Sequence, residues 1–389
     1  MIPYGRQDIS DDDIDAVVRV LRSDWLTQGP AVPNFEAALA AYVGARHAVA
    51  VSNGTAALHL AYLALGLGPG DRLWTVPNTF VATANAALYC GAEVDFVDID
   101  PRSYLLSVEA LAAKLAAAER NDRLPKIVAP VHFAGQSCDM RAIRALADRY
   151  HFRIVEDAAH AIGADYLGEK VGCCRYSDIA VFSFHPVKIV TTGEGGALTT
   201  NDADLATALA ELRTHGITRE PARMDGPSEG GWYYQQVSLG LNYRLTDIQA
   251  ALGTSQMKRI DAFVARRRAL AAGYDEALAN LQLVTPWQIP DGRSAYHLYP
   301  IRLRLDQLRR SRRDVYDALR TSGIGVQVHY IPVHLQPYYR KLGFKPGDFP
   351  EAERFYDGAI TIPLFAAMSD AEQATVIERV RATVTEAAA

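Results

Sequence analysis

The chain has 389 residues, of which 49% are hydrophobic and 22% are charged, so it can build two or three domains around a sizeable core. Its formal net charge of -5 provides no basic surface for nucleic acid, and we expect no nucleic-acid partner. The N-terminus is acidic where a signal peptide would be apolar, and no apolar run is long enough to span a membrane. We therefore expect a cytoplasmic protein without a membrane segment.

The first predicted element is an amphipathic helix that follows the acidic residues 11–13. From about residue 47 to 200, apolar strands alternate with longer helical patterns. This alternation predicts an α/β fold with a mostly parallel central sheet between two layers of helices. The predicted strands of this sheet are 48–51, 72–76, 93–97, 126–131, 152–156 and 178–184.

The pattern changes after the sheet. Residues 216–240 are rich in glycine, proline and polar side chains, which predicts a long surface loop, and long loops in enzymes are often functional. Helical patterns return at 246–255 and 260–278, and alternation at 296–303 predicts strands of a smaller domain. We predict a large domain at 1–255 and a small C-terminal α/β domain at 256–389.

The first segment with a chemical signal is a strand, a small polar turn and an apolar helix between residues 49 and 65. The turn contains Gly54 and Thr55. Backbone N–H groups and the positive end of a helix dipole face outward at such a turn, and glycine lets an anion approach closely. The segment is therefore a candidate phosphate site, although an ordinary strand-to-helix turn has the same pattern.

The second segment is the apolar strand 153–157, which ends in Asp157. In open α/β sheets, ligands bind beyond the carboxyl ends of the strands. A carboxylate there can pair with a protonated pyridine nitrogen and keep the ring electron-poor. Asp157 could instead cap the following turn.

The third segment runs from Ser183 to Gly196 and contains Lys188 beside a glycine-rich turn. A lysine amine in such a place can lose its proton and form a Schiff base with an aldehyde, which indicates pyridoxal 5'-phosphate. Most lysines are solvated surface charges, so this interpretation depends on the other two segments.

The segments 53–56, 156–160 and 183–196 together resemble the sugar aminotransferases of the DegT/DnrJ/EryC1/StrS family, and the resemblance runs nearly end to end. Within that family, residues 2–7, 26–30, 131–136 and 329–334 are most similar to the transaminases of pseudaminic acid biosynthesis. The resemblance implies the fold-type I aminotransferase architecture and a homodimer in which two chains build each active site.

The resemblance also implies roles for individual residues. Lys188 is the implied catalytic residue, Phe80 lies against the face of the cofactor, and Asn242 reaches in from the partner subunit. The residues implied for the cofactor are Gly54, Thr55, Ala56, Phe80, Asp157, His160, Ser183, Lys188 and Asn242. Those implied for the substrate are Tyr4, Asp24, Trp25, Leu26, Thr27, His329, Tyr330, Ile331 and Pro332. Without the resemblance, Phe80 reads as core, His160 as structural and Asn242 as part of an exposed loop.

The expected reaction moves the amino group of L-glutamate to the C4 ketone of a UDP-2-acetamido-2,6-dideoxy-4-keto-hexose, giving UDP-4-amino-4,6-dideoxy-N-acetyl-beta-L-altrosamine. A GDP-sugar, such as the precursor of GDP-perosamine, a dTDP-sugar or another UDP-sugar remains an alternative acceptor. A non-catalytic cofactor-binding regulator is a further alternative, but the nucleic-acid module that usually accompanies one is missing. Deoxysugar dehydratases of this fold carry histidine at the position of Lys188, and a redox enzyme would need a G-x-G-x-x-G turn.

We predict no metal site. Cys90, Cys138, Cys173 and Cys174 lack zinc spacing and are expected to be free thiols. His329 and His334 are a poor ligand pair because Pro332 lies between them and no carboxylate is near in sequence. One residue departs from the family pattern: Asp165 stands where a neutral residue such as serine is expected. We expect it to be solvated and far from the phosphates, which it would repel.

Overall fold

The structure is a computed structural model that describes residues 1–388. Helices and strands are numbered separately in chain order. The helices are α1 Asp11–Leu21, α2 Ala31–Val43, α3 Gly54–Ala64, α4 Ala82–Tyr89, α5 Val108–Glu119, α6 Met140–Tyr150, α7 Ala203–Leu212, α8 Asp247–Met257, α9 Ile260–Leu278, α10 Arg312–Thr321, α11 Pro337–Arg340, α12 Pro350–Gly358 and α13 Asp370–Ala388.

The strands of the described residues follow in the same way. They are β1 His47–Val51, β2 Arg72–Thr75, β3 Glu93–Phe96, β4 Ile127–Val128, β5 Arg153–Asp157, β6 Asp165–Tyr166, β7 Glu169–Lys170, β8 Ile179–Ser183, β9 Gly196–Thr200, β10 Ile217–Thr218, β11 Gln235–Gln236, β12 Leu283–Val284, β13 Gly292–Arg293, β14 Tyr299–Leu303 and β15 Ala359–Ile362.

The central sheet has the strand order β1-β9-β8-β5-β4-β2-β3 within the described residues. Pairing is parallel from β8 through β5, β4 and β2 to β3, whereas β9 runs antiparallel between β8 and β1. The predicted mostly parallel sheet and its six strands are confirmed. Sequence analysis missed β9, because its small and polar residues directly follow the glycine-rich turn. The carboxyl ends of β1, β5 and β8 meet at one edge of the sheet.

Apolar side chains bury both faces of the sheet. One core cluster includes Leu60, Trp74 and Ile154, and a second lies where α2 and α8 pack together and includes Phe35 and Phe184. The predicted first helix is confirmed as α1. Its N-cap is Ser10, whose side chain accepts a hydrogen bond from the Asp13 N–H in a capping box. The acidic residues therefore occupy the first turn rather than the cap.

One buried carboxylate fixes the start of α2. Asp247, the first residue of α8, is 1% exposed, and its side chain accepts hydrogen bonds from the N–H groups of Gly29, Ala31 and Val32 at 2.7, 2.8 and 3.1 Å. The Asp247 N–H in turn donates to the carbonyl of Leu26 at 3.0 Å. These hydrogen bonds hold the chain before α2 against α8. The two segments lie more than two hundred positions apart in sequence.

A third apolar core surrounds the small sheet β12-β14-β15 and includes the C-terminal half of α9 together with α10 and α13. Helix α9 joins this core to the larger ones, since Phe263 packs into the second cluster while Leu270 and Tyr274 pack into the third. Chain from the C-terminal third, including Phe355, packs back into the first cluster. The division near residue 255 therefore stays a proposal.

The predicted loop at 216–240 contains a short antiparallel pairing of β10 with β11. Two apolar side chains of this segment are strongly exposed, Trp232 at 74% and Leu239 at 86%. Among residues 1–388, no helix combines the length and the apolar character needed to cross a membrane.

Candidate active site

A cavity of about 830 Å³ opens where the carboxyl ends of β1, β5 and β8 meet α3 and the small sheet. The predicted residues that line it are Tyr4, Gly54, Thr55, Ala56, Phe80, Asp157, His160, Ser183, Lys188, His329 and Tyr330. Polar residues that also line it, and that sequence analysis did not select, include Thr79, Thr83, His185, Glu194, Tyr243 and His297. Segments far apart in sequence therefore converge on one cavity.

Lys188 follows β8 in a turn in which its N–H donates to the carbonyl of His185 at 2.8 Å. Its side chain is partly buried and reaches the cavity. Burial lowers the pKa of the Lys188 amine to about 8, and the charge of Asp157 opposes part of this shift. Near pH 7 about a tenth of the amine is therefore unprotonated and able to act as a nucleophile.

Asp157 ends β5 and is 5% exposed. Its Oδ2 accepts a hydrogen bond from the Thr83 hydroxyl at 2.6 Å, and its Oδ1 accepts one from the Ala159 N–H at 3.1 Å. The Thr83 hydroxyl accepts in turn from Thr79 at 2.9 Å. The carboxylate thus holds the following turn and also faces the cavity. Its orientation is fixed from two sides.

The candidate phosphate site lies at the start of α3. Asn53 is the N-cap, and its side chain accepts from the Ala56 N–H at 2.8 Å. Ala56 lines the cavity, but this bond already engages its N–H, the donor that a contact with the phosphate would use. The N–H groups of Gly54 and Thr55 belong to the first turn, where an α-helix supplies no acceptor.

Two glycines make this site possible. A Cβ on Gly54 would lie 3.0 Å from the Ser183 Cβ and 3.2 Å from its Oγ. A Cβ on Gly196, the first residue of β9, would lie 2.4 Å from the carbonyl oxygen of Asn53. Because these approaches leave no room for side chains, the start of α3 packs directly against the ends of β8 and β9.

Several imidazoles surround Lys188 in the cavity. His160 Nε2 lies 3.1 Å from the Tyr330 hydroxyl, and His329 Nδ1 lies 2.9 Å from the Thr361 hydroxyl. Burial and then the Lys188 charge lower the pKa of His329 to about 3, and the same causes hold the pKa of His160 well below its ordinary value. Burial raises the pKa of Tyr330. These groups are therefore neutral at physiological pH.

Phe80 lies at the mouth of the cavity and is 58% exposed, so it is not a core residue. Its ring centroid is 6.2 Å from that of Tyr330, with the planes tilted by 54°. An aromatic side chain that is exposed within a cavity can stack on a flat ligand ring. The position suits the cofactor contact that the resemblance implied.

Other predicted residues lie outside the cavity. Thr27 bridges to Thr246, whereas Trp25 and Leu26 are 54% and 48% exposed. The predicted residues that do not line the cavity of their own chain are Asp24, Trp25, Leu26, Thr27, Asn242, Ile331 and Pro332. Tyr243, the neighbour of Asn242, lines it instead, with its hydroxyl 3.2 Å from His59 Nδ1.

Two expectations about charged groups need correction. Asp165 does not line the cavity, but it is ion-paired rather than solvated, with Lys170 at 2.8 Å and Arg268 at 3.1 Å. These two cations explain why an acid is tolerated there. His334 has a carboxylate neighbour after all, Glu353 at 2.9 Å, which sequence proximity did not show. Within residues 1–388, no cluster of three or more His, Cys, Asp and Glu side chains could hold a metal ion.

The arrangement fits pyridoxal 5'-phosphate. An amine of lowered pKa and a fixed carboxylate share the cavity, and a glycine-lined helix start beside Ser183 can accept a phosphate. The buried Nδ1 of His160 has no hydrogen-bond partner among the described residues, as expected for an atom that meets a bound polar group. Lys188, Asp157, Gly54, Thr55 and Ser183 would hold the group.

Comparison with known proteins agrees with this geometry. Residues 7–381 match the model of the DegT/DnrJ/EryC1/StrS aminotransferase family. The chain is 42% identical over 383 residues to the spore coat polysaccharide biosynthesis protein SpsC of Bacillus subtilis, covering 98% of this chain and 96% of SpsC. It is 38% identical over 370 residues to the UDP-4-amino-4,6-dideoxy-N-acetyl-beta-L-altrosamine transaminase of Campylobacter jejuni, covering 95% and 94%.

The fold is similar to that of Helicobacter pylori PseC, an aminotransferase involved in the biosynthesis of pseudoaminic acid. The two structures superpose with a TM-score of 0.90 at 29% identity, covering 99% of each chain. The fold-type I aminotransferase architecture and the dependence on pyridoxal phosphate are thereby confirmed. The chain belongs to the DegT/DnrJ/EryC1/StrS family and is a pyridoxal 5'-phosphate-dependent sugar aminotransferase.

Proposed function

We propose that the chain transfers the amino group of L-glutamate to the C4 ketone of a UDP-2-acetamido-2,6-dideoxy-4-keto-hexose, as a step towards pseudaminic acid. The product is UDP-4-amino-4,6-dideoxy-N-acetyl-beta-L-altrosamine. The observation that carries the proposal is the placement of Lys188 and Asp157 in one cavity of about 830 Å³. A cavity of this size has room for a cofactor and a sugar together. The similarity to the Campylobacter transaminase supports this acceptor.

Lys188 is the proposed anchor and base. Its pKa of about 8 leaves enough neutral amine for attack on an aldehyde. The bound cofactor supplies that aldehyde and an electron-withdrawing ring that takes up the electrons left by a departing proton. With its amine free, Lys188 Nζ would take the proton from the amino-bearing carbon of the donor. It carries out the reverse transfer at C4 of the sugar.

Asp157 is the proposed partner of the protonated pyridine nitrogen. Because Thr83 and Ala159 donate to its two oxygens, the carboxylate cannot rotate away from the cavity. His160 is proposed to meet the ring hydroxyl or the ring edge, and Phe80 the ring face. Each of these residues binds or orients, and Lys188 alone moves the proton.

Within one chain the phosphate end offers only neutral hydrogen-bond donors. Among the described residues that line the cavity, Lys188 is the only lysine or arginine, while Asp157 and Glu194 are acids. The start of α3 and Ser183 supply neutral donors and the helix dipole. We therefore propose a homodimer in which each cavity is completed by a second copy.

The same dimer gives a role to the predicted residues outside the cavity. Asn242 is proposed to reach the phosphate in the second copy. The side chains of Trp25 and Leu26 are exposed, and the bond from Asp247 to Leu26 links their segment to α8. They are proposed to border the nucleotide-sugar bound by the second copy. Within one chain, Tyr4, His329 and Tyr330 line the cavity and are proposed to contact the sugar.

The proposed location is the cytoplasm. All four cysteines, Cys90, Cys138, Cys173 and Cys174, are free thiols in the described residues. Burial raises the pKa of Cys90 and of Cys173 to about 11, so neither is a reactive thiolate at neutral pH. Free thiols of this kind suit a reducing compartment, where UDP-sugars and L-glutamate are available.

A different acceptor sugar is the alternative that the relatives themselves suggest. SpsC is 42% identical to this chain, somewhat more than the Campylobacter transaminase, and its name specifies a polysaccharide rather than a nucleotide sugar. The cavity residues Tyr4, His329 and Tyr330 can hydrogen-bond many sugars. A C4 aminotransferase for a GDP-, dTDP- or other UDP-sugar would use Lys188 and Asp157 in the same way.

The experiment is an absorbance titration of the purified holoenzyme. L-glutamate should shift the band near the visible edge, and a 4-keto sugar should restore it. UDP-, GDP- and dTDP-linked 4-keto sugars are compared under the same conditions. Restoration by the UDP-linked N-acetyl sugar alone supports the proposal. Restoration by another sugar identifies the alternative, and a band that glutamate leaves unchanged refutes the proposed donor.

Lys188→Ala tests the chemistry itself. The variant should lose turnover and the visible-edge band, because no other amine lines the described cavity. Lys258→Ala is the matched control, since Lys258 is an exposed lysine at the end of α8 that does not line the cavity. An active and still coloured Lys188→Ala protein would overturn the assignment.

A further inference from the structure

His297 lines the cavity although neither its spacing nor the family motifs selected it. It lies just before β14, is 4% exposed, and its ring centroid is 4.5 Å from that of His160, with the planes 46° apart. The Nδ1 atoms of both rings are buried and have no hydrogen-bond partner within residues 1–388. The contact between the two side chains is therefore a packing contact between rings.

The main chains of both histidines pack closely against Gly135. A Cβ on Gly135 would lie 2.9 Å from the His297 nitrogen and 3.1 Å from the His160 carbonyl oxygen, and its φ of +102° also favours glycine. The Ala295 N–H donates to the Gly135 carbonyl at 2.9 Å. The segment 131–136, which sequence analysis matched to the family without giving it a role, thus spaces His297 from His160.

Arg267 fixes His297 from the other side. This residue of α9 is 2% exposed, and its guanidinium donates to the carbonyls of Tyr296 and His297 at 3.2 Å each and to that of Leu364 at 3.0 Å. It has no carboxylate partner among the described residues. Burying a cation without a carboxylate partner costs free energy. Three main-chain carbonyls take the place of that carboxylate here, so the guanidinium holds the peptide at His297 in position.

We propose that His297 is a positioning residue for His160. Tyr330 holds one edge of the His160 ring through its hydroxyl, and the His297 ring packs against it, so His160 keeps one orientation towards the cofactor. Gly135 and Arg267 place the His297 main chain. Without the second ring, only the Tyr330 hydroxyl restrains the His160 ring, so the ring turns more freely and the cofactor loses a fixed neighbour.

His297→Phe and His297→Ala test this role as a pair. Phenylalanine keeps a flat ring of similar size and lacks the nitrogens, whereas alanine removes the ring. We measure the cofactor dissociation constant, the absorbance maximum of the bound cofactor, and kcat and KM with the amino donor that converts the wild-type enzyme. His297→Ala should weaken cofactor binding and lower kcat by about tenfold to about a hundredfold, with little change in KM. His297→Phe should stay within about threefold of the wild type.

Any folded pair of variants that departs from this order of effects overturns the proposal. If His297→Phe is as impaired as His297→Ala, the ring nitrogens are required and His297 acts by more than packing. If His297→Ala loses thermal stability but keeps the cofactor dissociation constant and absorbance maximum, the residue is only structural. If His297→Ala lacks a cooperative thermal transition, His297→Leu replaces it, since leucine restores apolar volume without a flat ring, and the same order of effects is expected.

Discussion

Replacing Lys188 by methionine should stabilise the cofactor-free protein. Burial lowers the pKa of this amine from 10.5 to about 8, which means that the folded chain disfavours its charged form. A shift of this size corresponds to about 3 kcal/mol of unfolding free energy lost at neutral pH. Methionine has a similar shape and no charge, so Lys188→Met should regain much of that free energy.

The gain should depend on pH in a defined direction. Below about pH 8 the amine is protonated in both the folded and the unfolded chain, so the full penalty applies. Above pH 8 the folded chain releases the proton while the unfolded chain keeps it up to its ordinary pKa, and the penalty falls by about 1.4 kcal/mol per pH unit. The advantage of Lys188→Met should therefore be largest at pH 7 and nearly absent above pH 10.

Chemical denaturation of the cofactor-free proteins at pH 7, 8.5 and 10 measures this difference. Lys258→Met is the control, because Lys258 is exposed and should give no pH-dependent change. The reasoning fails if Lys188→Met is no more stable than the wild type at pH 7. It also fails if the difference between the two proteins is the same at all three pH values.

Three further substitutions test the support of the site. Thr83→Val removes a hydrogen bond to the Asp157 carboxylate and should weaken cofactor binding by about 1.5–3 kcal/mol in an absorbance titration. Asp247→Ala leaves three N–H groups at α2 without their acceptor and should lower the unfolding free energy by about 2 kcal/mol or more in urea. Gly196→Ala would place a Cβ 2.4 Å from Asn53 O, so cofactor affinity should fall even where the thermal transition persists.

Sequence alone predicted the parts of the site that depend on local pattern. Lys188, Asp157 and Gly54 each follow an apolar strand that is visible as a short run of branched side chains, and strand ends at one sheet edge must lie near one another. The fold followed from the same alternation. The fold is confirmed and the roles of the site residues stay predictions, and both could be predicted because each uses only a few neighbouring residues.

The supporting residues could not be found in this way. Thr83 lies in a helix of small residues, and its contact with Asp157 spans 74 positions of the chain. His297 lies within the predicted strand region 296–303, where the only sequence signal was an imidazole among apolar side chains. The ion pairs of Asp165 were also hidden in the sequence, since its partners Lys170 and Arg268 come from two different elements. Roles that arise from packing between distant segments carry no local pattern.

The histidines around Lys188 are neutral, and this matters for the role proposed for its amine. Charged imidazoles at His160, His297 and His329 would repel both a protonated Lys188 and a protonated pyridine ring, and burial keeps all three pKa values below the ordinary range. In the proposed mechanism, neutral rings leave Asp157 facing one cation at a time, and the proton is moved by Lys188 Nζ. On this proposal, the same burial that destabilises the cofactor-free chain directs the proton transfer, so variants that stabilise the cavity by removing its amine should lose catalysis.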